Sequence, residues 1–179
     1  MKLQEIAHKS ATELRRLIAE RELSPVQVVK ACLNQIESWN SDVNAVVTLS
    51  PEVLGDARRA EQKIMAGEKL GPLHGLPIGV KDLEMTKGIR TTSGSLVYKD
   101  RVPDADSIVV ERILKAGAII LGKTNLSEFG VIGINENRLG DHCRNPWNTD
   151  RNAGGSSGGA GAAVIAGLCA VATGSDGGG

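Results

Sequence analysis

The most constraining feature of the sequence is a glycine-rich stretch, residues 151–179, which holds ten of the 22 glycines and only two charged side chains. Glycine reaches backbone torsion angles that are closed to other residues, and it lets other groups approach the main chain closely. A flexible linker has a similar composition, but this stretch continues into an apolar helix and a strand. We therefore expect a packed turn that presents serine hydroxyls and bare backbone to a reacting group.

Elsewhere the chain alternates between amphipathic helices and short apolar strands. Serine followed three residues later by Glu or Gln, at Ser10 and Ser24, predicts the first two helix starts. The predicted helices span 10–22, 24–39, 50–67, 107–116 and 159–166, and the predicted strands span 44–49, 76–80, 118–121 and 170–173. This alternation predicts an α/β fold with a mixed or largely parallel central sheet.

The charge balance argues against several classes of function. Lys plus Arg and Asp plus Glu each total 21, so bulk positive charge is not available to bind nucleic acid or an anionic membrane. Three cysteines, an odd number without CxxC spacing, are typical of free thiols in a reducing cytosol. Because the first residues also lack the apolar segment of a signal peptide, we expect a cytoplasmic protein.

Residues 117–124 match the P-loop pattern GxxxxGK[ST]. A P-loop arches so that its backbone N–H groups face phosphate. The four residues inside this match are Ala-Ile-Ile-Leu, which predict a buried strand instead. We therefore interpret the match as coincidental.

Lys81 directly follows the apolar stretch 76–80. A lysine at a strand end is often a surface residue, and local evidence leaves that alternative open. The approach to Lys81 is apolar, however, and burial lowers the pKa of a lysine from about 10.4. A lysine that is neutral near physiological pH acts as a general base, so Lys81 is a candidate base.

Histidine and metal chemistry have little support in the sequence. His8, His74 and His142 share no motif, so a Ser-His-Asp triad is not predicted, and His74 is interpreted as a structural turn residue. HExxH, EF-hand and paired CxxC patterns are absent, so we expect neither a metal nor a cofactor.

An ordered set of segments resembles the amidase signature family of serine amide hydrolases. The segments are GPLHGLPIGVKD, LGKTNLSEFG, RNPWN, and GGSSGG followed by GSDGGG. A lone GGSS would say little, whereas the set with these spacings is specific. The resemblance implies the amidase-signature fold, with a mixed central sheet flanked by helices. Residues 1–70 would be its helical N-terminal region, and residues 71–179 the N-terminal part of its catalytic core.

The resemblance implies a Ser–Ser–Lys triad. The family's lysine corresponds to Lys81 and its bridging serine to Ser156, with a cis peptide bond between Gly155 and Ser156. The family's nucleophilic serine follows the triple glycine directly. We therefore expect the nucleophile directly after Gly179, and we expect the sequence to be a fragment that stops before it.

The same resemblance assigns supporting roles to the end of the chain. The N–H groups of the glycines at 177–179 are expected to face the substrate oxygen as an oxyanion hole. The expected oxyanion donors are therefore Gly177, Gly178 and Gly179. Side-chain hydrogen bonds that support the site are expected from Ser157, Ser175 and Asp176.

The implied activity is hydrolysis of a small-molecule carboxylic amide through a serine acyl-enzyme. One alternative is the A subunit of a tRNA-dependent glutamine amidotransferase, but that protein typically has threonine where Gly177 stands and serine where Ala160 stands. A further alternative is an inactive fragment, if the natural chain ends at residue 179. We expect no nucleic-acid or membrane partner and allow for a homodimer.

Overall fold

The computed structural model describes residues 2–178 and contains a four-stranded mixed sheet with helices on both faces. The strands are β1 (Val46–Leu49), β2 (Pro77–Lys81), β3 (Ile119–Thr124), β4 (Arg144–Asn145), β5 (Asn148–Asn152) and β6 (Val171–Ala172). The main sheet has the order β1–β3–β2–β6, in which β1 runs antiparallel to β3, and β2 is parallel to both of its neighbours. The predicted α/β fold with a mixed sheet is confirmed.

The helices of the described residues are α1 (Leu3–Ala7), α2 (Ala11–Ala19), α3 (Pro25–Val43), α4 (Val53–Met65), α5 (Ile108–Lys115) and α6 (Gly158–Ile165). Helices α2, α3 and α5 begin directly after the serine N-caps Ser10, Ser24 and Ser107, within one residue of their predicted starts. Ser10 Oγ accepts from the backbone N–H of Glu13 at 3.2 Å. Ser24 and Gln27 form the reciprocal capping box, because each side chain accepts from the other residue's backbone N–H. Helix α3 continues four residues beyond its predicted end.

The aliphatic core lies on both faces of β3. Ile119 and Leu121 belong to a cluster formed with α3, α4 and α6. Ile120 points to the other face, where it packs with Val80 and with Val110 of α5. Side chains alternate between the two faces of a strand, so an apolar run such as that of β3 is buried on both sides. Residues 119–124, six of the eight that match the P-loop pattern, therefore form a fully buried strand.

The β4–β5 hairpin and helix α1 were not predicted from the sequence. Strands β4 and β5 pair antiparallel within residues 144–152, where no strand was predicted. Strand β5 is polar and mostly exposed, so it lacks the apolar alternation by which strands are recognised. Helix α1 has only five residues, too few to display a helical period.

The three cysteines are buried and unpaired in the described part of the chain. Over residues 2–178, no helix has both the length and the apolar character that crossing a bilayer requires.

Helix α6 packs closely on the end of β3 because its first turn has no side chains in the way. A Cβ on Gly159 would lie 2.3 Å from the backbone N of Asn125 and 2.8 Å from the carbonyl O of Ala45. Gly159 also donates its backbone N–H to Asn125 O at 3.1 Å. By contrast, a Cβ on Gly161, on the same helix, would meet nothing within 4 Å.

This contrast makes a test of the packing. Gly159→Ala should lower the free energy of unfolding by about 2 kcal/mol or more, because backbone must move to admit the methyl group. Gly161→Ala should leave it unchanged or raise it by up to about 1 kcal/mol, because alanine favours a helix interior over glycine. Urea denaturation followed by circular dichroism measures both variants. Equal effects of the two substitutions would contradict the close approach of α6 to β3.

Candidate active site

Lys81 is the last residue of β2, the strand that lies between β3 and β6. Its side chain is only 1% exposed, so the surface alternative that the sequence left open does not apply. Its backbone N–H donates to Thr173 Oγ1 at 2.8 Å, which ties the strand end to the residues just after β6. The carboxyl ends of parallel strands are where α/β proteins commonly hold their ligands.

Two serines from the glycine-rich stretch meet the amine of Lys81. Lys81 Nζ lies 2.7 Å from Ser156 Oγ and 2.8 Å from Ser175 Oγ, both hydrogen-bonding distances. Ser156 stands two residues before α6, and the peptide bond between Gly155 and Ser156 is cis. Ser156 and Ser175, which follow Lys81 by 75 and 94 residues in the sequence, are thus both brought to its amine.

Burial lowers the pKa of the Lys81 amine from its ordinary value, because the charged form loses hydration. The negative charge of Glu84 acts in the opposite direction and only partly offsets this effect. The neutral amine is the form that accepts a proton, so the environment of Lys81 favours base chemistry.

The remaining residues expected at the site lie beside Lys81 and Ser156. Ser157 Oγ accepts from Ser175 N at 3.1 Å and lies 3.2 Å from Ser175 O, which holds the Ser175 backbone in place. Gly178 donates its backbone N–H to Asp176 Oδ1 at 3.1 Å. Gly179 lies outside the described residues.

An open cleft of about 870 Å³ adjoins these groups, lined mainly by residues 130–133, 153–158 and 175–178. The first of these segments was not predicted as part of the site. Gly130 nevertheless stands close to it, since a Cβ there would lie 3.6 Å from Ser156 Oγ and 3.8 Å from Lys81 Nζ. Nothing in this glycine-containing loop marks it by composition, and only the tertiary structure brings it over the lysine.

Histidines and metal-binding clusters do not contribute to this cleft within the described chain. His74 is buried, and its Nε2 lies 2.9 Å from the carbonyl O of Ala60, a structural contact. No group of three or more His, Cys, Asp or Glu side chains is arranged to hold a metal ion among residues 2–178. The chemistry that the described site supports is proton transfer between an amine and hydroxyl groups.

Comparison with known proteins gives consistent matches along the chain. A family model described as Amidase matches residues 27–179. The A subunit of the glutamyl-tRNA(Gln) amidotransferase from Carboxydothermus hydrogenoformans is 44% identical over 98% of this chain and 36% of its own length. The acylamidase of Rhodococcus erythropolis is 42% identical over 95% of this chain and 36% of its own length.

Solved structures agree with the sequence relatives. A bacterial aryl acylamidase belonging to the amidase signature enzymes superposes with a TM-score of 0.86 at 36% identity, over 92% of this chain and 35% of that one. The native peptide amidase from Stenotrophomonas maltophilia gives 0.85 at 32% identity, over 92% and 35%. The chain spans about a third of the length of the curated relatives it matches.

The buried amine makes a prediction that needs no substrate. Lys81 should lose its proton at a pH below the ordinary lysine value, because burial destabilises the charged form. A ¹³C NMR titration of lysine-labelled protein, with the Lys81 signal assigned by its loss in Lys81→Arg, measures the midpoint. A midpoint at or above the ordinary lysine value would contradict this description of the site.

Proposed function

Because the chain belongs to the amidase family, we propose that it supplies the base and the bridging serine of an amide hydrolase that acts through a serine acyl-enzyme. The observation that carries the proposal is the 2.7 Å separation of Lys81 Nζ and Ser156 Oγ at the edge of an open cleft. Relatives named as acylamidase, aryl acylamidase and peptide amidase support hydrolysis of an amide bond.

The proposed mechanism begins with the neutral amine of Lys81. The amine accepts the proton of the Ser156 hydroxyl, and Ser156 in turn accepts the proton of the nucleophilic serine. By its resemblance to the family, that serine directly follows Gly179. Its oxygen forms a bond to the amide carbonyl carbon, and the carbonyl π electrons move to oxygen.

The second half of the reaction returns the proton. Lys81 and Ser156 deliver it to the leaving nitrogen as the C–N bond breaks, which leaves an ester on the nucleophile and releases ammonia or an amine. Water then hydrolyses the ester with the same two groups as the proton relay, giving the carboxylate. No metal or cofactor is required by this sequence of steps.

Backbone N–H groups of the triple glycine are proposed to stabilise the tetrahedral oxyanion. In the structure, Gly178 instead donates to Asp176 Oδ1. The proposal therefore requires the Gly178 N–H to leave Asp176 Oδ1 when substrate is bound. Ser157 is proposed to act indirectly, by holding the backbone of Ser175.

The proposal is tested on the protein expressed from its complete coding sequence. Lys81→Ala and Ser156→Ala should each lower kcat for a chromogenic aryl amide by about 10²–10⁴-fold, the usual contribution of a positioned acid–base group. The wild-type rate should fall as the pH drops through the lowered pKa of Lys81, because the protonated amine cannot act as a base.

Two substitutions serve as controls for this experiment. Ser157→Ala, next to the relay serine, should cost only about 10-fold, because it removes two hydrogen bonds to the Ser175 backbone, each worth about 0.5–1 kcal/mol, and no proton-transfer group. Lys115→Ala removes an exposed lysine of α5 and should leave kcat unchanged. Full activity of either Lys81→Ala or Ser156→Ala would exclude the mechanism.

A second candidate is supported by the names of other relatives. Several are the A subunits of glutamyl-tRNA(Gln) amidotransferases, at identities close to that of the acylamidase. In that role the same lysine and serine would release ammonia from glutamine for partner subunits. Gly177 and Ala160 favour the amidase, because the family resemblance implies threonine and serine at these positions in the amidotransferase subunit.

The two candidates differ in substrate and in assembly. For an amidase, we expect hydrolysis of aryl or alkyl amides by the isolated protein, with little ammonia released from glutamine. Co-purification with other subunits from the native organism, together with glutamine-dependent ammonia release, would establish the amidotransferase role instead.

A further inference from the structure

Lys123 is a second buried lysine that the proposed mechanism does not use. It lies on β3, where its register partner on β2 is Val80, and its side chain is fully buried. Val80 packs beneath α5, whereas Lys81, the next residue, points to the opposite face of the sheet. The β2–β3 register shifts between Ile78 and Gly79, so Lys123 shares the face of Val80 and not that of Leu121. The two lysines therefore lie on neighbouring strands and face opposite sides.

The ammonium group of Lys123 is directed entirely at the segment that follows Lys81. It donates to the carbonyl O of Glu84, to Thr86 Oγ1 at 2.7 Å and to Thr91 Oγ1 at 3.2 Å. An ammonium group has three N–H donors, so this segment takes up the full hydrogen-bonding capacity of the side chain.

The same segment is joined to the backbone of Lys81. Glu84 donates its N–H to the carbonyl O of Lys81 at 3.0 Å. Two further backbone hydrogen bonds connect this turn to the loop at the cleft. Ser93 N–H donates to Asp82 O at 2.9 Å, and Phe129 N–H donates to Ser93 O at 2.8 Å. Gly130, beside Lys81 Nζ, follows directly. Lys123 thus holds the turn after Lys81 and, through it, the loop over the amine.

One acidic side chain, that of Glu84, influences both lysine amines electrostatically. The charges of Asp82, Asp106 and Arg101 also act on Lys123. Helix α6 carries no charged side chain toward Lys81. Burial lowers the pKa of Lys123 to about 8, while the acidic groups oppose that effect. The cation of Lys123 also offsets the charge of Glu84.

We propose that Lys123 is a positioning residue for Lys81, whose buried ammonium fixes the Lys81–Glu84 turn and keeps the catalytic amine dehydrated and directed at Ser156. The inference rests on the proposed function of Lys81. It assigns Lys123 no contact with substrate.

Removal of the ammonium should change the titration of Lys81 in one direction. Lys123→Met keeps an unbranched side chain, one heavy atom shorter, but removes its charge and donors. Water then reaches Lys81 more easily, and Glu84 attracts the Lys81 proton more strongly, so both effects raise the pKa of Lys81. In the protein expressed from its complete coding sequence, we expect the acid limb of the kcat–pH profile to move up by about half a pH unit or more.

Two threonine variants test the hydrogen bonds of Lys123 without replacing the lysine itself. Thr86→Val and Thr91→Val keep the Lys123 side chain but each remove one of its hydroxyl acceptors, and each should move the acid limb in the same direction by a smaller amount. Lys115→Met, which changes an exposed lysine, is the matched control and should leave the profile unchanged. If Lys123→Met does not fold, the threonine variants decide the question.

NMR titration of Lys81 in each variant tells the possible failures apart. A higher Lys81 midpoint in Lys123→Met supports the inference independently of any activity. An unchanged midpoint and acid limb, in folded variants with Lys81→Ala inactive, would overturn the role of Lys123 and leave the proposed function intact. Full activity of Lys81→Ala would instead overturn the proposed function itself.

Discussion

The burial of one amine, that of Lys81, is the constraint on which the site depends. A lysine taken out of water loses hydration of its charged form, and the cost falls if the amine becomes neutral or gains hydrogen bonds. Here the amine meets two serine hydroxyls. The same burial that lowers the pKa therefore requires the serine-bearing turns to be packed onto the end of β2.

The glycines make that packing feasible by removing side chains from contact points with the main chain. A Cβ on Gly155 would lie 2.8 Å from the backbone of Ile134, and one on Gly158 would lie 2.9 Å from the Asn135 side chain. Together with Gly159 against β3, these positions let the turn before α6 sit against two other segments. The glycine-rich composition is thus explained at these positions by close approach, which a flexible linker would not require.

Much of this arrangement was accessible from the sequence because the signals are local. Apolar runs marked β2 and β3, serine caps marked α2 and α3, and the resemblance pointed to Lys81 and Ser156. The hairpin of β4 and β5 was missed, since its polar and mostly exposed strand β5 shows no apolar alternation. The loop over the lysine was missed because its position follows from long-range contacts, such as that of Phe129 N with Ser93 O.

Lys123 illustrates a different limit of sequence reasoning. Rejecting the P-loop interpretation was correct, since the segment is a buried strand, but it left a buried cation without an explanation. Charge in a core demands partners, and here the partners are a carbonyl and two threonines from the turn after Lys81. Lys81 and Lys123 are one register position apart on neighbouring parallel strands, so their side chains lie on opposite faces of the sheet. Lys81 meets the serines at the cleft, and Lys123 meets the threonines of the turn behind it. The two lysines are linked through the Glu84 backbone, whose carbonyl O accepts from Lys123 Nζ and whose N–H donates to the carbonyl O of Lys81.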